Sequence, residues 1–303
     1  MNSSGVTHAV VFAIAAAASW GIAGVLSKFA LGKGTPFLVV VLQLGCSVLL
    51  SWLATTFRCN SVTISSNTLL GVSLGVLHPG LSNALGIVGL VHIDASVSST
   101  LWALEGPFTA FLAAALLGEH LRRLQVVLFA ISLAGVFLLS SSGSGTDWTS
   151  NSVYGAAMIL IAVACCAVYA VGCREFRALD QQQAMFIVSG QQTIGLITCV
   201  GLWFCHWSYW TPLGVAELSW DVLFVCLLTG PLKFLFATSL FVAALLRLPA
   251  GYAGGFLVLT PVFGLATAYF LLGEYLTIVQ WIGVGIVLAS VTMAQTVRTK
   301  VAT

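Results

Sequence analysis

Apolar residues run along this chain in long stretches from Ala9 to Thr296, interrupted only by short polar breaks. A hydrocarbon layer about 30 Å thick is crossed by about 20 helical residues rising about 1.5 Å each. Cut at charged or turn-rich breaks, the runs give ten segments, at 7–30, 35–56, 68–91, 95–117, 123–141, 153–173, 182–205, 219–244, 250–272 and 277–297. The pattern predicts an all-α integral membrane protein of ten transmembrane helices, with residues 1–303 as a single transmembrane domain. No break is long enough for a soluble domain.

The two longest breaks differ in chemistry. Ser140–Ser152 is rich in Ser and Gly and reads as a flexible link between halves. Trp203–Trp220, with Trp207, Tyr209, Trp210 and Pro212, reads as an interfacial belt. The first apolar run has no Lys or Arg before Lys28 and no small-residue cleavage site, so it is expected to be retained as a helix. With ten spans both termini share a side. That side collects Arg58, Arg122, Arg123, Arg174, Arg177, Arg247, Arg298 and Lys300, against Lys28 and Lys33 opposite. Basic loops stay in the cytoplasm, so both termini are expected there.

The chain also repeats itself. Leu104-Glu105-Gly106-Pro107-Phe108 through Leu116-Leu117-Gly118-Glu119-His120-Leu121 aligns without a gap on Leu259-Thr260-Pro261-Val262-Phe263 through Leu271-Leu272-Gly273-Glu274-Tyr275-Leu276, at an offset of 155. His78-Pro79-Gly80 corresponds to Gly230-Pro231-Leu232 at 152, and Trp20 with Lys28 to Tyr169 with Arg177 at 149. Residues 7–141 and 153–297 thus read as two five-helix repeats. Five is odd, so the second copy is expected upside down relative to the first. The loop charges agree: Arg122-Arg123 follows the first Gly-Glu, and Tyr275-Leu276-Thr277 the second.

Composition narrows the function. Hydrophobic residues make up 59% of the chain and charged residues 7%, against about 25% charged in an ordinary soluble domain. A net charge of +2, with dispersed basic residues, excludes a nucleic-acid footprint. Of eight cysteines, Cys46, Cys165, Cys166, Cys173, Cys199 and Cys226 lie inside apolar runs with no CxxC spacing, which favours small buried hydrophobes over metal or disulfide chemistry. The sequence has no HExxH and no Asp-rich motif, so an intramembrane enzyme is the weaker reading, and a channel or receptor weaker than a carrier.

The Trp20-Gly21…Lys28 pattern and the Leu-Glu-x-x-Phe…Leu-Leu-Gly-Glu pattern at Leu104–Glu119, with its second copy at Leu259–Glu274, resemble the EamA-type branch of the drug/metabolite transporter superfamily. The resemblance covers nearly the whole chain. It implies a 5+5 inverted-repeat fold, cytoplasmic termini, no cofactor, and transport of amino acids, other metabolites or drugs, often outward, in the cell (inner) membrane. Where the family often has Glu-Pro this chain has Glu105-Gly106, with Pro107 displaced by one position.

Charged groups at mid-bilayer cost several kcal/mol unless paired or hydrated. Glu105 lies 11 residues after Asp94 and Lys233 lies 12 after Asp221, which puts both near the midplane. Three roles are open: a structural ion pair, a pair that parts to hold a zwitterion, or a proton-carrying carboxylate tuned by Lys233. His78 precedes Pro79-Gly80 at similar depth, as a packed imidazole or as a contact for cargo or a coupling proton. Pro79, Pro107, Pro231 and Pro261 sit mid-span in matching helices and free backbone carbonyls, which is tolerated where they line a cavity. Trp20, Trp102 and Tyr169 are candidate aromatic walls, with Trp102 expected on the helical face of Glu105. Gln43, Gln191, Gln192 and Thr260 bond either a ligand or neighbouring helices. The candidate substrate set is therefore Glu105, Lys233, His78, Trp20, Trp102, Tyr169, Gln191 and Thr260, around a polar or zwitterionic small molecule. The spacings Gly71/Gly75 and Gly251/Gly255 are compatible with close helix approach.

Overall fold

The structure is a computed structural model and describes residues 3–33, 35–58, 64–117, 123–141, 150–173, 181–205, 219–245 and 256–299. Among these residues the regular secondary structure is all helical. Span one is Ser3–Leu31, span two Pro36–Arg58, span five Arg123–Ser141, span six Ser150–Gly172, span seven Gln181–Cys205 and span ten Ile278–Thr299. The other four are interrupted. Span three runs Ser66–Ser73, Leu74–Val76, Leu77–Leu81 and Ser82–His92; span four Ala95–Trp102 and Glu105–Leu117; span eight Trp220–Gly230, Pro231–Phe236 and Ala237–Leu245; span nine Phe256–Val258 and Leu259–Leu272. Six stretches, among them Val6–Leu31 and Ser66–His92, are long and apolar enough to cross a bilayer, and Arg123–Gly135, Phe256–Leu272 and Ile278–Ala294 are shorter apolar helices. The expected segments and these helices agree within a few residues.

Some expectations fall outside the described residues: the loop Gly118–Arg122 with Glu119 and His120, Arg174, Arg177, Arg247, Lys300, Gly251/Gly255, and the belt residues Trp207, Tyr209, Trp210 and Pro212. Of the Ser/Gly stretch at residues 140–152, the ends are helical, as parts of spans five and six.

Spans one and six, and spans five and ten, run in opposite directions. Span one ends where Lys28 reaches the carbonyls of Leu90 and Ile93, at the end of span three. Span six begins at that same end, with Tyr154 edge-on to His92 and Gly155 against Gly89, and finishes with Gly172 against Leu74. Spans five and ten pair antiparallel: Gln125 donates to the Ala294 carbonyl, while Gly135 lies against Gly283. Packing exchanges between the halves in the same way. Span one rests on spans eight and nine, span six on three and four, span two on eight, span seven on three; spans two and seven, and five and ten, pack on their own counterparts.

The outer surface is apolar where lipid is the solvent, with Phe57, Phe204, Phe270 and Trp281 exposed. The interior is held by small residues and polar side chains, as bilayer packing requires. Along span two Gln43, Ser47, Ser51 and Thr55 share a buried face. Ser47 donates to Gln192 Oε1 (2.7 Å), Trp52 Nε1 to Thr193 (2.9 Å), and Thr55 bonds Ser189 (2.8 Å).

Span nine ends at Gly273, which has φ 65° and lets the Glu274 N–H return to the Ala268 carbonyl. A side chain in that left-handed region costs about 1–2 kcal/mol. Gly273→Ala is therefore expected to lower stability by about 1 kcal/mol, measured as a shift of the unfolding midpoint in detergent.

Candidate functional site

The two third-position spans, three and eight, break at matching prolines. Pro79 and Pro231 each lack the N–H that a helix needs, and each sits in a short π-helical turn, Leu77–Leu81 and Pro231–Phe236. The breaks are not copies. His78 is extended (φ −141°, ψ 123°), the conformation into which a following proline pushes its neighbour, whereas Gly230 stays helical (φ −57°, ψ −61°). Side chains donate to backbone carbonyls at both breaks. Cys46 Sγ donates to Leu227 O (3.6 Å), the acceptor that Pro231 leaves without its helical donor, and Trp20 Nε1 donates to Lys233 O (2.9 Å). Asn83 Nδ2 donates to Pro79 O (2.9 Å), and Cys199 Sγ to Gly80 O (3.6 Å).

Each break is also clamped by a glycine against a glutamine. A methyl group added to Gly230 would fall on the Gln43 carbonyl, 2.8 Å from its Cα, and one added to Gly75 would fall on the Gln191 carbonyl, 2.7 Å from its Cα. Gln43 Nε2 bonds Ser27 (2.9 Å) and Thr229 (2.7 Å), tying spans one, two and eight. Gln191 accepts from the Tyr169 hydroxyl (3.0 Å) and donates to Gly71 O (2.9 Å), tying spans six, seven and three. A buried glutamine thus ties the matching trio of spans in each half, with different bonds.

Between the breaks lies a polar cluster. His78 Nδ1 stands 2.8 Å from Ser82 Oγ and 3.3 Å from Cys166 Sγ, and its ring is 5.0 Å from that of Tyr169. The Lys233 ammonium sits 5.1 Å from the Phe234 ring and within electrostatic reach of His78, Cys166 and Cys199. Glu105 opens the second half of span four; its carboxylate makes no hydrogen bond or ion pair with the described residues and lies within reach of the Cys166 thiol. Glu105 and Lys233 do not pair with each other; the ion pair present among the described residues is Lys33–Asp221. Cys166, on span six, lies within electrostatic reach of both charges.

His78, Pro79, Tyr169, Gln191, Gln192, Phe234 and Thr238 line a cavity of about 20 Å³ for a water-sized sphere. A space of that order holds about one water, whereas small-molecule pockets take several hundred Å³. The sequence-derived set divides accordingly. His78, Tyr169 and Gln191 line the cavity, and Trp20 and Lys233 adjoin one another at the second break. Thr260 contributes its carbonyl, 2.5 Å from where a Gly21 Cβ would stand. Trp102 and Glu105 flank a tight turn at Ala103–Leu104, and the Trp102 ring packs on Gly86.

At the end remote from both termini, Lys28 Nζ donates to Leu90 O (2.7 Å) and Ile93 O (2.8 Å). Glu274 accepts from Ala95 N and Ser96 N, both at 2.9 Å, at the start of span four. The Lys and Glu of the two sequence patterns therefore meet on one short turn, although 246 positions separate them in the chain (274 less 28).

Two halves with matched breaks around a buried polar centre are mirrored in the family profile. The profile of the EamA-like transporter family matches residues 7–141 and again residues 153–296. The chain belongs to the EamA-like transporter family. It is accordingly a multi-pass integral membrane protein of that family's ten-helix, two-repeat fold, and a membrane transporter of small molecules. No curated protein matches the chain. One crystal structure of a protein aligns with 98% of this chain and 99% of its own at 17% identity and a TM-score of 0.66, a likeness of fold.

Sequence reasoning passed over Cys166, Gly230 and the Glu274 contact. Gly230 was within reach, because the offset of 155 that defines the repeat pairs it with Gly75. Cys166 carried no such signal, since its position between two charges arises only when spans four, six and eight come together.

Proposed function

We propose that this EamA-like transporter moves a small zwitterionic metabolite, an amino acid or close relative, outward across the cell membrane by alternating access. The observation that carries the reading is a pair of opposite charges, Glu105 and Lys233, which both reach Cys166 yet are not bonded to each other. Charges kept apart in a low-dielectric interior are costly, and a ligand with an ammonium and a carboxylate satisfies both at once. The opposed directions of matched spans supply an inverted pair of halves able to exchange conformations around that centre. Thermal stabilisation of the purified protein across a library of amino acids, amines and carboxylic acids tests the reading. Zwitterions are expected to raise the melting temperature more than the matching amines or acids, and an equal response to all three would overturn it.

A coupling proton is a second reading, favoured by the absence of any bond to Glu105 among the described residues. Uptake into liposomes driven by a pH step, and abolished in Glu105→Gln, is its expected signature. The proposed orientation has its own check. Cysteine introduced at Arg123 is expected to react only from the cytoplasmic side and cysteine at Thr277 only from outside; reaction of both from one side would remove the inverted arrangement.

A further inference from the structure

We infer that Glu274 is a latch that holds the carrier shut at the end remote from its termini, by gripping the start of span four from the opposite half of the molecule. The inference rests on the carrier reading above and assigns the closing of this one end to a residue.

The turn at Ile93–Asp94, between spans three and four, is gripped from two directions. Lys28 binds the carbonyls that precede it, and Glu274 binds the N–H groups that follow it. Helix ends leave such groups without intrahelical partners, so the two side chains meet a real demand. Their origins differ, however. Lys28 belongs to the same half as the turn, whereas Glu274 belongs to the other half, so a separation of the halves at this end breaks the Glu274 bonds and leaves those of Lys28 intact. Lys33–Asp221 also joins the halves here, but with both side chains about half exposed it contributes little.

Two further details suit a latch. Gly273 in its left-handed turn, with the Glu274 N–H bonded back to Ala268 O, fixes the direction in which the carboxylate is presented. Beneath it the Ser96 hydroxyl is buried with no hydrogen-bond partner, a cost that hydration relieves when the seam opens. The closed state is thus firmly but not irreversibly held. One turn deeper Ser99 lies in the same seam, its Cβ 2.7 Å from where a Gly264 side chain would begin.

The test uses the full chain in liposomes with Ser99→Cys as reporter and a membrane-impermeant maleimide, the modified site being located by mass spectrometry. Adding Glu274→Ala is expected to speed modification from the remote end by about ten- to a hundredfold, since two charge-assisted hydrogen bonds are lost. Glu274→Gln, which keeps one acceptor, is expected to fall between, and Lys33→Met to change the rate by less than about twofold. An unchanged rate in a folded Glu274→Ala protein would overturn the latch and leave the carrier reading standing. A reporter never modified in any folded variant, from either side, would overturn the carrier reading as well. Loss of folded protein in both Glu274 variants would make the residue a structural anchor and also overturn the latch.

Discussion

Leucine in place of Gly230 is expected to remove nearly all folded protein from the membrane. The position has no room for even a methyl group, and what stands in the way is the backbone of Gln43, which cannot swing aside as a flexible side chain could. Overpacking typically costs about 1–3 kcal/mol where side chains can yield, so a clash between helix backbones at a crossing is expected to exceed about 3 kcal/mol. It also pulls apart the Gln43 bonds to Ser27 and Thr229. Gly75→Leu is expected to act alike through Gln191, with Gly24→Leu, where an added Cβ meets nothing within 4 Å, as the tolerant control. Folded yield after detergent extraction, read by size-exclusion chromatography, decides it; a monodisperse Gly230→Leu protein at normal yield would show that the crossing is looser than described.

The second large effect concerns transport. Because Glu105 and Lys233 are not paired, neutralising one does not strand its partner, and each single variant, Glu105→Gln or Lys233→Met, is expected to keep its fold, with a melting temperature within a few degrees of the parent. Cargo binding is another matter. Truncating one side of a buried charged contact costs about 2–5 kcal/mol, and each 1.4 kcal/mol is about tenfold in affinity, so each variant is expected to bind the zwitterion at least about thirtyfold more weakly. The double variant is expected to fold and not to transport. Normal transport by the double variant, with unchanged pH dependence, would end both the cargo-binding and the proton-coupling readings. Destabilisation of each single variant with recovery in the double would instead reveal a structural pair.

Much of the architecture could be read from residue order alone. Runs long enough to cross a bilayer, broken at charged or turn-rich positions, locate helices well because lipid leaves no other way to satisfy the backbone. The repeat was visible because duplicated segments keep Pro, Gly and Glu where each has a backbone task, as at Pro79 and Pro231. The centre was legible only in part. His78, Tyr169 and Gln191 line one cavity, but the depth that singled out His78 carries no azimuth. It could not show that Lys233 lies near Cys166 and Cys199, nor that the Trp102 ring packs on Gly86. Lys28 and Glu274 were noticed as pattern members, but their joint hold on one turn needed the packing of spans one, three, four and nine.

The unlike shapes of the two breaks bear on energetics. Two halves identical in sequence and conformation could trade roles at no net cost, and the empty protein would divide its time evenly between its two faces. In the alternating-access reading proposed above, halves that differ as His78 and Gly230 do are not degenerate, and one face is expected to be favoured at rest. A bias of about 1.4 kcal/mol already means a tenfold preference, and cargo arriving at the disfavoured face then meets a correspondingly lower apparent affinity. The inequality cannot set the direction of net flux, which belongs to the gradients. It does determine at which face the carrier waits, and therefore at which concentration each compartment begins to be served.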